Sequence, residues 1–98
     1  MITKELTVLN KAGFHVRDAS AVCKIALGSP ANLVLSKDGA QADCKSCLDL
    51  LSLMAPQGTK LVLTADGDGA QAAVDAIVDL FEHKFYEDEF ARSGQAAR

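Results

Sequence analysis

The chain has no tryptophan, one tyrosine, two prolines and no excess of basic side chains, with 10 Lys and Arg against 13 Asp and Glu and a formal charge of -3. Lacking basic surface for counterion release and a set of aromatic platforms, it is not expected to bind nucleic acid. No apolar run approaches the roughly 18 residues of a membrane span, so no membrane insertion is expected. The N-terminus MITKELTV lacks the charged-then-apolar order of a signal peptide, which points to the cytoplasm. The three cysteines are an odd number in a chain of ordinary core-forming composition. They fit free thiols in a reducing compartment better than a disulfide framework. Histidine is scarcer still, present only as His15 and His83.

What is present suffices for one hydrophobic core: 98 residues, 49% of them hydrophobic. Ile2, Leu6 and Val8 share one face of a first strand with Lys4. From Val16 onward, Ala19, Val22, Cys23 and Ala26 trace the stripe of an amphipathic helix that stops near Gly28. Leu33 and Leu35 open a second strand, Asp38-Gly39 supplies a hairpin turn, and Ala40, Ala42 and Cys44 alternate inward on a third. Ser46 stands three residues ahead of Asp49, a capping-box spacing for a short helix from Cys47 to about Met54. Leu61-Val62-Leu63 reads as a buried central strand. Asp68 is the expected N-cap of a last helix striped by Ala70, Ala73, Val74, Ile77, Phe81 and Phe85.

The order is β-α-β-β-α-β-α. It predicts an α+β open-faced sandwich: a four-stranded, mainly antiparallel sheet with three helices on one face. The domain is expected to span residues 1–88, with a flexible tail over 89–98 where apolar residues thin out.

Three short motifs carry a family resemblance. Gly13-Phe14-His15-Val16-Arg17-Asp18-Ala19 precedes the first helix, Lys45-Ser46-Cys47-Leu48 opens the second, and Gln57-Gly58-Thr59 follows it. In register and in this element order they resemble HPr, the histidine-containing phosphocarrier family of the bacterial sugar phosphotransferase system, over roughly residues 3 to 86. The chain departs from the family pattern at Asp18, where the family carries proline, and in its extension past about residue 88.

The resemblance implies a phosphoprotein that takes a phosphoryl group on His15 from enzyme I and hands it to an enzyme IIA domain. It would act as a monomeric carrier without metal or cofactor, not as an enzyme in its own right. The residues support this independently. His15 falls at a helix N-cap, where backbone N–H groups lack internal partners and form an anion site. Arg17 adds a fixed positive fork for the phosphoryl group. Asp18 is read as modulating. In the first turn a carboxylate stabilises the helix by about 0.3 to 1 kcal/mol. At roughly 6 Å from a phosphoryl dianion it would repel it by roughly 1 to 5 kcal/mol. The alternative to the carrier is a regulatory or binding module of the same fold with impaired phosphotransfer, and Asp18 is its sign.

Other positions have competing explanations. Ser46 is a helix N-cap whatever else it does, while the resemblance makes it a target for an HPr kinase/phosphorylase. Leu50, Leu53 and Met54 already provide a packing stripe. Cys47, Leu48 and Leu51 therefore read either as a water-facing docking patch for enzyme I and enzyme IIA or as a second buried side of the helix. Cys44 and Cys47 have CxxC spacing but lack further ligands for zinc. Asp66-Gly67-Asp68-Gly69 lacks the distal ligands of a calcium loop. His83 reads as a solvated surface residue.

Overall fold

Period-two patterning sorts the strands onto one sheet. The computed structural model describes residues 1–86. Its elements are β1 (Ile2–Thr7), α1 (Val16–Leu27), β2 (Asn32–Lys37), β3 (Ala40–Asp43), α2 (Cys47–Ser52), β4 (Lys60–Asp66) and α3 (Ala70–Glu82), followed by a 3-10 turn over Lys84–Tyr86. This is the expected order. The sheet runs β1-β4-β2-β3 with every neighbouring pair antiparallel. Leu6 stands opposite Leu61, and Leu63 opposite Leu35, so one face is a continuous apolar layer beneath the helices. The expected tail over 89–98 lies outside the described residues. Among the described residues no helix is long and apolar enough to cross a membrane.

Local departures from the expected pattern have physical causes. β4 is central, as its apolar run suggests, but it is covered on one side only: Leu61, Leu63 and Ala65 are buried while Val62 is exposed on the open face. Asp38 and Gly39 both take positive φ, the requirement of a tight type I′ hairpin. Ala40 lies at the end of that turn and is exposed, so only Ala42 and Cys44 point inward.

α3 is capped by Gly69 at φ 79° rather than by Asp68. A left-handed residue is needed to bring the chain into the helix beside Pro30, whose Cδ would lie 3.4 Å from a Cβ placed at Gly69. α2 ends at Ser52, short of the predicted Met54, and Met54 turns away at φ 50°. Lys37 Nζ donates to the Leu53 and Met54 carbonyls at 2.9 and 2.7 Å, occupying acceptors that a longer helix would use.

Phe85 reaches the core by an unexpected route. α3 stops at Glu82, and Lys84, Phe85 and Tyr86 all have positive φ. The turn they make folds Phe85 back against Phe81, with ring centroids 4.8 Å apart. Phe14 completes the trio at 5.9 Å from Phe81 and 5.8 Å from Phe85. Since Phe14 immediately precedes His15, this cluster anchors the residue beside the candidate site.

Candidate functional site

The loop that carries His15 is fastened by the Gln57-Gly58-Thr59 segment and the residues just before it. Val8 N–H donates to the Thr59 carbonyl, Gly58 N–H to Val8 and Phe14 N–H to Ala55, all at 2.8 to 2.9 Å. Gln57 Nε2 adds a bond to the Leu9 carbonyl at 3.0 Å. Gly13 sits where these strands of chain press closest. Its φ is 79°, and a Cβ there would stand 3.0 Å from both the Ala55 oxygen and the Pro56 Cα. Only glycine meets both conditions without strain.

The loop delivers His15 to the N-cap of α1, the predicted position, with extended backbone at φ -112° and ψ -174°. Its imidazole is 37% exposed. Arg17 is exposed on the first turn. Asp18 is the surprise. The surface carboxylate expected from its helix position is fully buried, with 0% of its side chain exposed.

Asp18 is the third residue of α1, and its carboxylate reaches back to the backbone of the His15 N-cap. Its Oδ2 accepts from the His15 backbone N–H at 3.3 Å and from Asn10 Nδ2 at 2.9 Å. The same oxygen lies 3.6 Å from His15 Nε2. Asn10 is itself buried and also donates to the Gly13 carbonyl. Packing of the 9–13 loop over the start of α1 covers the acid, and the amide donors offset its loss of water. Asn10 has no signature in the sequence beyond a polar residue in a loop.

Beside the histidine lies an apolar rim. Leu48 is 79% exposed on α2, as predicted for a water-facing residue. Cys47 and Leu51, read either as facing water with it or as a second buried side of the helix, are half-buried and pack against the core. The short α2 tilts them toward α1, where Ser20 Oγ lies 3.8 Å from Cys47 Sγ and Cys23 Sγ donates to the Lys45 carbonyl at 3.5 Å. Met54, expected in the packing stripe, is instead 76% exposed because its backbone swings out after the helix ends. Val16, adjacent to His15, is also exposed. The sequence reading missed Val16 and Met54, and at Met54 the missing signal was the helix stop.

Ser46 caps α2, its Oγ accepting from Asp49 N–H at 3.3 Å. Cys23, Cys44 and Cys47 are free thiols. Burial, with Asp43 and Cys23 nearby, pushes the Cys44 thiol up to about 12. That thiol is a poor nucleophile at neutral pH, whatever its spacing from Cys47. His83 caps the far end of α3, exposed and stacked on Tyr86.

A half-exposed histidine at a helix N-terminus, on an open-faced antiparallel sandwich, defines a domain of the histidine-phosphocarrier class. The chain belongs to the HPr family of the phosphotransferase system: the family model for the PTS HPr component phosphorylation site matches residues 2–83. It is 35% identical over 88 residues to the phosphocarrier protein HPr of Xylella fastidiosa, covering 90% of this chain and 99% of that one. It is 33% identical over 84 residues to the phosphoryl donor subunit DhaM of a PEP-dependent dihydroxyacetone kinase from Providencia stuartii, covering 86% of this chain and 18% of that longer protein. The crystal structure of HPr from Thermoanaerobacter tengcongensis superposes with a TM-score of 0.82 at 33% identity, covering 87% of this chain and 96% of that one.

Proposed function

We propose that the protein is a phosphocarrier that accepts a phosphoryl group on His15 from phosphorylated enzyme I and passes it to an enzyme IIA domain. The observation that carries this reading is the placement of a half-exposed imidazole at the N-cap of α1, with Arg17 exposed on the same first turn. A neutral ring nitrogen near pH 7 is an adequate nucleophile. Phosphoryl transfer asks chiefly for positioning and for donors around the transferred oxygens. The first-turn N–H groups and the Arg17 guanidinium answer both needs.

Docking falls to the exposed rim. Leu48 leads it, half-buried Cys47 and Leu51 form its floor, and Val16 and Met54 extend it. Ser46 is a regulatory phosphorylation site for an HPr kinase/phosphorylase in this reading. A phosphate there would exchange a hydroxyl cap for a stronger anionic one and place two negative charges at the edge of the rim.

The test is incubation with enzyme I and phosphoenolpyruvate followed by intact mass and peptide mapping. Acid-labile gain of one phosphoryl group on His15, discharged on adding an enzyme IIA domain, is the expected result. No gain would favour a docking module that has lost transfer.

A further inference from the structure

The carboxylate that stands where the family carries proline faces the histidine ring from beneath. Asp18 Oδ2 lies 3.6 Å from His15 Nε2, beyond an ordinary hydrogen bond but well inside the range of a strong charge interaction. Its position is not free to drift: Asn10 Nδ2 and the His15 backbone N–H both donate to the same oxygen. Asn10 is tied in turn to the Gly13 carbonyl. The acid is fully buried while the ring is partly open, so in its carboxylate form its charge acts through protein rather than through water. The other charged groups of the surrounding elements are of a different kind. Arg17 on α1 and Lys11 in the loop are exposed, and the segment 55–57 packed against the loop supplies carbonyls and the Gln57 amide.

A neutral imidazole carries one proton on two nitrogens, and a neighbouring group decides which. A fixed negative charge beside Nε2 favours the proton there and leaves the lone pair on Nδ1. We propose that Asp18, seated by Asn10, is a positioning residue that holds the His15 proton on Nε2, so that the ring presents Nδ1 to the phosphoryl donor. This deepens the carrier reading and rests on it.

The transfer balances on this arrangement. The Nδ1 lone pair forms a bond to phosphorus as the bond from phosphorus to the donor's ring nitrogen breaks, and that electron pair returns to the donor ring. The donor ring, protonated on its other nitrogen, leaves as neutral imidazole. His15 keeps its Nε2 proton and becomes a phosphorylated imidazolium facing the Asp18 carboxylate. The acid thus attracts the cationic ring from one side while the phosphoryl group sits on the other, which reverses the simple repulsion expected from sequence spacing.

Side-chain nitrogen NMR of the full-length, unphosphorylated protein, at a pH where the ring is neutral, tests this without enzyme I. In the wild type His15 is expected to show a proton-bearing Nε2 and an unprotonated Nδ1. Asp18→Asn, which keeps size and removes charge, should shift the ring toward a mixture of tautomers and slow phosphorylation about tenfold. Asn10→Ala should move the tautomer signal in the same direction. A wild-type ring protonated on Nδ1, or a tautomer unchanged in both variants, overturns the proposal. Failure of a correctly protonated wild-type His15 to accept phosphoryl would instead sink the carrier reading alone.

Discussion

The described residues hold two histidine–aspartate pairs, one at each kind of helix end. His15 and Asp18 are three residues apart at the N-terminus of α1, with the acid fully buried. His83 and Asp79 are four apart at the C-terminus of α3, at 3.2 Å, with side chains 54% and 51% exposed. The residue types are the same and the second pair is the closer. Yet an exposed pair contributes about 0 to 1 kcal/mol and is weakened by salt. A buried acid with two donors fixes a geometry. The helix ends also differ in sign: partial positive charge at the start of α1 suits a phosphoryl group, and partial negative charge at the end of α3 suits a protonated histidine. Both histidines cap a helix, and what separates them is the environment of the acid beside each.

The sharpest way to break this comparison is to delete each ring. His15→Ala should abolish acid-labile phosphorylation by enzyme I while the fold is retained, and His83→Ala should leave it intact. Intact mass reads both, and equal loss in the two variants would end the distinction. The acids should differ next. Asp18→Ala removes a cap and one of the hydrogen bonds of the buried Asn10 amide, at a cost of about 1 to 3 kcal/mol in urea unfolding. Asp79→Ala should cost under about 1 kcal/mol.

The loop that covers Asp18 gives a third contrast. Gly13→Ala meets both a positive φ and backbone atoms at 3.0 Å, and should lose about 1 to 3 kcal/mol. Gly39→Ala, at φ 87° with nothing within 4 Å, should lose about 1 kcal/mol from backbone strain alone.

The rim adjoins only the first pair. Leu48→Glu should weaken enzyme I binding roughly tenfold or more while unfolding shifts by under about 0.5 kcal/mol. Leu27→Glu, also exposed but at the far end of α1, should leave binding unchanged. Loss of stability in Leu48→Glu would make that residue core.

The smallest effect lies at Cys44, away from both pairs. At pH 8 iodoacetamide should alkylate Cys23 and Cys47 ahead of Cys44 in the native protein. The Cys44 thiol is raised in the fold from 9.0 to about 12. Its contribution to stability is therefore complete below about pH 9 and declines as pH rises from there toward 12, because the unfolded thiol ionises first. A native protein that lost no stability over that interval relative to Cys44→Ala would contradict the burial.

The amino-acid sequence by itself determined the order of elements, the Asp38-Gly39 hairpin, the Ser46 cap and the start of α1 at His15. Each depends on backbone preferences and side-chain periodicity that act within a few residues, so a local reading suffices. It also placed His15 and Arg17 on one helix turn and exposed Leu48. Tertiary structure decided the rest. Asp18 reads as a surface acid until the 9–13 loop, pinned by β1 and by residues 55–59, lays Asn10 over it. Met54 leaves its expected packing stripe where Lys37, from a strand elsewhere in the chain, caps the carbonyls that end α2. Phe85 returns to the core only because Phe14 and Phe81 are already there to receive it. Burial is a property of which distant segments meet, and only the folded chain sets a buried acid beside the His15 ring.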